Sequence, residues 1–367
     1  MLVMASYGTN IAEEFAAAAV EKFFETAVTP MITNDEYEGQ IKDKASRLNI
    51  LTFSESGGLV DYTGADLTLG TVSESDGTLN TDQQKAYYFK VPSIDRFKSY
   101  VKDPESSLMI EKAGQLQEAV DTYVLGIAHG DAAAGNRAGT SYTTGTVAVT
   151  VTTGAVTGTG TTFTAAMVGL GFKAAGHSVW YRVKTYTSGT AIVIEDDKDD
   201  ETSAYTGGAI SAGATYEIEA ATAVTIDTAG EAYGALLALK QKLDARKTPK
   251  AGRWVVVNSY FMQKLLAESV IVRDTEQGEN RTTNGFVKRI AGFDLFENEQ
   301  VAGNTTTGFW AVAGHKSAIT FAMAFTETGI EDLQANFGKA YKGLNVYGAK
   351  VVDERRKNLA AYRYLTA

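Results

Sequence analysis

The chain has 367 residues, 44% hydrophobic and 21% charged, which supplies a sizeable core and excludes a wholly disordered polymer. Lys plus Arg number 34 against 44 Asp plus Glu, and the net charge of −10 argues against a generally basic nucleic-acid binder. With no cysteine, disulfides, thiolate nucleophiles, iron–sulfur clusters and cysteine zinc sites are excluded; no apolar run reaches the ~18 residues of a membrane-spanning helix, and the first ten residues lack the basic-then-apolar order of a secretory signal.

Ile11 to Thr26 carries an Ala-rich helical pattern with Asn10 as its cap and Glu13 as the N3 partner, and Pro30 stops any extension. Polar–apolar alternation from Ser46 to Phe53 predicts a strand. Ser54 to Asn80 is long, polar and glycine-rich, and Tyr87 to Val91 predicts the strand that returns from it. Together they predict a protruding hairpin with an extended loop, a feature rare in a compact enzyme unless it is a lid or binding loop. Pro104 opens a helix of about 25 residues, roughly 40 Å long, that stops near Gly130. Leu108, Met109, Leu116, Val120, Tyr123, Val124 and Ile127 give it an apolar stripe.

Composition then shifts. Twelve of the 25 residues from Thr140 to Thr164 are threonine, the best boundary signal in the chain. Short alternating stretches separated by glycine steps predict a small all-β module inserted between helical segments and able to fold largely by itself. Its expected core is Val147, Val149, Val151, Phe163, Tyr181, Val183, Ile192, Ile194, Tyr216 and Ile218. From Asp227 the helical period returns. Strands are predicted at Trp254–Val257, on both sides of Ala291–Gly292, and at Trp310–Val312, Ala318–Met323 and Val346–Val352, with a short helix from Tyr260 to Glu268. The fold class is α+β with an all-β insertion.

Chemistry-bearing patterns are sparse. His129, His177 and His315 stand far apart and read as structural or surface residues; no HExxH, GxSxG, phosphate-binding or dinucleotide fingerprint occurs. The acidic run Glu195–Glu201 lacks the ligand order of a calcium loop and reads as a solvated hairpin tip, with a weak cation site or a contact with a basic partner as alternatives. Lys288–Arg289 and the run from Asp353 to Lys357, with Arg355 and Arg356, are the best basic clusters. Solvated faces or intersubunit salt links are the two readings for them. No catalytic, cofactor or metal residue is assigned.

Several segments in order resemble the major capsid proteins of tailed bacteriophages, in the branch whose coat proteins carry inserted β domains. They are NDEYEGQIKDKASRLNILTFSESGG, TLNTDQQKAYYFKVPSIDRFKS and EKAGQLQEAVDTYVLGIA in the first half. In the second half they are TPKAGRWVVVNSYFMQKLLAE, GFVKRIAGFDLFENEQV, GHKSAITFA and LNVYGAKVVDERR. The resemblance spans about residues 1–135 and 225–367. It implies an HK97-type fold. Residues 1–36 would be an N-terminal arm, 37–92 an extended loop lying over a neighbouring subunit, and 93–136 a peripheral domain with a spine helix. Residues 137–225 would be the inserted β domain, pointing outward, and 226–367 the axial domain with strands returning to the periphery. It further implies a structural, non-enzymatic subunit of a virion, made in the host cytoplasm. Pentamers and hexamers of it would enclose double-stranded DNA without sequence preference, with separate scaffolding, portal and decoration proteins as possible partners and no membrane. Asp61, Tyr62, Asp66, Lys288, Arg289, Arg355 and Arg356 are the intersubunit candidates. The alternatives are an encapsulin-like compartment or, more distantly, a carbohydrate-active enzyme with paired carboxylates.

Overall fold

The computed structural model describes residues 27–34, 47–55, 72–92, 104–198, 204–267, 289–333 and 337–366. The expected helix at 11–26, the tip of the extended loop with Asp61, Tyr62 and Asp66, and Lys288 lie outside them. A short helix, α1 (Thr29–Ile32), begins the described chain. Strand β1 (Arg47–Glu55) follows and pairs antiparallel with β2 (Val72–Asn80) over nine residue pairs. β2 therefore lies inside the stretch expected to be loop. The predicted returning strand at Tyr87–Val91 belongs to β3 (Gln83–Pro92), which joins a different sheet. The reason is that backbone hydrogen bonds build the β1–β2 ladder, and VSESDGTLN carries no apolar alternation to reveal it.

Helix α2 (Pro104–Gly130) has 27 residues and matches the expected long helix. Its buried Asp121 organises α1: the carboxylate accepts the N–H groups of Val28 and Thr29 at 3.0 Å, the Thr29 hydroxyl at 2.6 Å and the Asn298 amide at 3.0 Å. Four donors satisfy a charge that burial would otherwise make costly.

Strand β4 (Arg137–Ala138) leads into the insertion, which comprises β5 (Thr140–Tyr142), β6 (Thr146–Val149), β7 (Ala155–Thr159), β8 (Gly171–Ala174), β9 (Tyr181–Ser188), β10 (Ala191–Asp196), β11 (Ile210–Ala214) and β12 (Tyr216–Thr222). Their order in the sheet is β11-β6-β7-β10-β9-β8-β12-β5. Only Thr215 separates β11 from β12, so one bent strand pairs with β6 through its first half and with β8 and β5 through its second. The sheet thereby closes on itself as a small barrel. Nine of the ten expected core residues are buried. Val151 is 46% exposed, because the chain reverses through left-handed Thr152 (φ 73°) and Gly154 (φ 63°) and lifts it out of the ladder. The barrel interior does not stand apart. Phe172, Val183 and Ile194 belong to one continuous buried cluster with Val120 and Val124 of α2 and with Trp310 beyond.

After β13 (Val224–Ile226) come α3 (Ala229–Ala245), β14 (Arg253–Val257) and α4 (Ser259–Leu266). Glu231 reaches back to the Thr228 N–H at 2.8 Å to start α3, and Asn258 caps α4 by accepting from Phe261 N–H at 3.0 Å. The remaining elements are β15 (Arg289–Ile290), β16 (Phe293–Glu297), β17 (Gly303–Asn304), β18 (Gly308–His315), β19 (Ile319–Asp332), β20 (Gly338–Val351), α5 (Asp353–Arg356) and β21 (Leu359–Thr366). A mixed sheet runs β13-β21-β18-β14-β16-β15. β4 and β13 lie end to end beside β21, both parallel to it: Ala138 stands opposite Tyr362 and Val224 opposite Tyr364. The insertion thus interrupts a single strand position.

Alternation sorts the two faces of this sheet. Val255, Val257, Ala311 and Ala313 pack with Leu236, Leu239 and Phe261 of α3 and α4. Trp254, Val256, Trp310 and Val312 pack in the cluster shared by α2 and the barrel. β14, buried at all five positions, is the two-faced central strand its apolar run predicts. A second sheet, β19-β20-β3, carries two 14-residue strands, about twice the length expected from the apolar parts of their sequences. The β1–β2 hairpin rests on it through Ile50 and Leu79 against Ala322 and Val352.

Candidate functional site

Charged residues converge where α2 ends. The loop from Asp131 to Arg137 touches the barrel, α3 and the C-terminal segment together. Arg137, 3% exposed, turns back to cap the helix, its Nε donating to the His129 carbonyl at 3.2 Å and its Nη2 to the Gly130 carbonyl at 2.6 Å. Arg182 of β9 donates to the same Gly130 carbonyl at 3.2 Å. Cations there complement the partial negative charge of a helix C-terminus.

Arg137 Nη1 lies 3.2 Å from Glu219 Oε1, and both side chains are almost fully enclosed. Glu219 also accepts the N–H groups of Gly171 and Arg137, each at 3.0 Å. Burial pushes the Glu219 carboxyl up and the Arg137 guanidinium down; their mutual attraction opposes both shifts. The His129 ring lies against Trp310, tilted, with centroids 5.3 Å apart, and burial, aided by the Arg137 charge, holds it near pKa 4 and therefore neutral at pH 7.

A second acid–arginine contact lies beside the first. Asp197 Oδ2 accepts the Ala134 N–H at 2.6 Å, and Oδ1 accepts from Arg356 Nη2 at 2.7 Å. Arg356 Nε donates to the Asp131 carbonyl at 3.0 Å. Arg246, just past α3, and Lys242 of α3 hold the carbonyls of Ala134 and Gly135, both at 2.9 Å. Asn136 donates to the carbonyls of Lys357 and Leu359. Gly135 is left-handed (φ 90°), and a Cβ there would strike the Trp180 ring at 2.7 Å. Arg363 completes the junction by donating to the Ala220 and Ala221 carbonyls at 3.2 and 2.9 Å while lying 5.5 Å from the Trp310 ring.

This geometry corrects two expectations. Arg356, an intersubunit candidate, is 2% exposed and engaged within its own chain. Asp197, expected at a solvated tip, is half of that contact. Arg355 is half-buried and donates to the Ser317 carbonyl at 3.0 Å, while exposed Arg289 lies 3.7 Å from Asp294. Sequence reasoning missed Arg137 and Glu219, which are 82 residues apart. Glu219 did leave one trace, a lone charge within the small apolar run Ile218–Ala221.

The three histidines do not meet. His177 Nδ1 is 2.8 Å from the Tyr181 hydroxyl and His315 Nδ1 is 2.7 Å from the Ser317 hydroxyl. Among the described residues no group of three His, Asp or Glu side chains could hold a metal ion, and no helix is long and apolar enough to cross a membrane.

No family model and no curated protein sequence matches the chain. Solved structures do. A structure from Mycobacterium phage Che8 is 17% identical with a TM-score of 0.63, covering 97% of this chain and 98% of the other. The capsid structure of cyanophage P-SCSP1u is 10% identical with a TM-score of 0.59, over 98% and 94% of the two chains. The mature capsid of bacteriophage PhiM1 is 12% identical with a TM-score of 0.54, over 96% and 92%. The chain therefore has the fold seen in phage capsid structures, over almost its whole length, at identities where only the fold is shared.

Proposed function

We propose that the chain is a structural major capsid protein that assembles, as pentamers and hexamers, into an icosahedral shell around double-stranded DNA. The observation that carries this reading is the likeness to phage capsid structures over almost the whole chain. α2 takes the role of the spine helix, 37–92 that of the extended loop, and 226–367 that of the axial domain with returning peripheral strands. The barrel faces outward. The β1–β2 hairpin supports an intersubunit role, since a two-stranded ribbon is marginal alone and gains from a neighbour to order it. Asp61, Tyr62 and Asp66, between its two strands in sequence, with Lys288, Arg289 and Arg355, are the residues offered to neighbours. Packaged DNA meets weak, salt-sensitive contacts from inward-facing Lys and Arg, as befits a subunit of net charge −10.

Expression of the chain followed by electron microscopy tests the reading: shells or capsomers are expected, and a strictly monomeric protein under particle-stabilising conditions overturns it. Deleting residues 61–70 is expected to reduce shell yield while leaving the circular dichroism of the subunit intact. Normal shell yield after that deletion would sink the role given to the hairpin.

A further inference from the structure

Both acids at the end of α2 belong to the inserted barrel, and both arginines they hold belong to the frame around it. Glu219 comes from β12 and Asp197 from the turn after β10. Arg137 stands on β4 before the barrel begins, and Arg356 on α5, far beyond its end. Each acid does the same two things. It accepts a backbone N–H of the 131–137 loop, from Arg137 or Ala134, and it holds a guanidinium. Each guanidinium in turn donates to a carbonyl at the helix end or just past it.

We propose that the inserted barrel works as a clamp on the C-terminal end of the long helix, supplying the counter-charges that let two buried arginines cap it. A helix end leaves its last carbonyls without intrahelical partners and carries partial negative charge, so cations suit it. Two guanidinium groups at 2–3% side-chain exposure, however, cannot remain there without anions. The frame's own acid next to Arg356 is Asp353, 3.8 Å away and 44% exposed, a poor substitute for Asp197 at 2.7 Å. The barrel therefore contributes to the body of the subunit as well as to its surface. This goes beyond the capsid reading and does not depend on it, because the clamp acts within one chain.

The test uses the full chain and reads hydrogen–deuterium exchange of peptides covering Val124–Arg137. Asp197→Asn and Glu219→Gln, singly and together, are compared with Val156→Ala, which loosens the barrel interior without touching either acid. Losing a charged hydrogen bond at the helix end is expected to speed exchange there by about tenfold or more, while β6, β7, β9 and β10 keep their protection. Val156→Ala is expected to speed exchange in the barrel and leave Val124–Arg137 near the parent rate. Unchanged exchange at Val124–Arg137 in the double variant with the barrel still protected overturns the proposal. So does equal acceleration by Val156→Ala, which would make the effect one of general packing. If the double variant does not accumulate, Asp197→Asn against Val156→Ala decides the question, since Asp197 is the less enclosed acid.

Discussion

Acid should loosen this protein through His129. The imidazole is packed on Trp310 and near Arg137, and its pKa falls from 6.5 to about 4, chiefly by burial. In the unfolded chain the same ring protonates near pH 6.5. Between those values the unfolded state binds the extra proton and the folded state does not, so stability is full above pH 6.5 and declines as pH falls toward 4. A drop of that size, at about 1.4 kcal/mol per unit, sets a ceiling of about 3.5 kcal/mol, and partial solvent contact brings the expected loss to about 2–3 kcal/mol. His129→Gln cannot take the charge. Urea unfolding of the dispersed subunit, followed by tryptophan fluorescence at several pH values, should show the variant losing less stability than the parent between pH 6.5 and 4, by about that amount. Parallel pH dependences in parent and variant would refute the reasoning, as would an NMR titration placing the folded-state His129 pKa near 6.5.

Asp121→Asn removes the charge that receives four donors, and should cost about 2–3 kcal/mol and expose residues 28–34 to faster amide exchange. Unchanged exchange in that segment would show that α1 is held by packing alone. Gly154→Val meets two obstacles, a φ of 63° and the Ile194 carbonyl lying where the Cβ would sit, so a loss of at least about 2 kcal/mol and a lower melting temperature are expected. A melting temperature equal to the parent's would mean that the barrel rearranges there freely.

Local signals made much of this fold readable. α2 declares itself by Pro104, an apolar stripe and Gly130, and β14 by the apolar run Trp254–Val257 that ends at Asn258. The barrel core was legible where alternation survives, as in β6, β9 and β10; the reading failed at Val151, where a left-handed turn breaks the period, and passed over Phe172 of β8, where burial does not alternate. β21 escaped because LAAYRYLT is buried on both faces and reads as an apolar run of uncertain type. The outer halves of β19 and β20 escaped because backbone pairing holds them, with Glu327, Lys339 and Lys342 exposed. The charged junction was the least legible part. Arg356 sits in a run, DERRK, that looks like any solvated helix end, and its partner Asp197 lies 159 residues away within an equally polar run. Sequence proximity to other charges is a poor guide to exposure when the partner is supplied by another part of the chain.

The split strand beside β21 makes this subunit a natural socket. Ala138 and Val224 face positions two residues apart on the same neighbour, a separation of roughly 7 Å that one bridging residue can span. A chain joined there would run on as an ordinary edge strand, so the backbone itself raises no objection to removing the barrel. A foreign domain whose two ends lie about that far apart could be seated in its place. What any replacement must reproduce is electrostatic: two acids at the positions of Asp197 and Glu219, or apolar side chains substituted for Arg137 and Arg356. Grafts designed on chain connectivity alone would join cleanly and still leave two charges stranded beneath them.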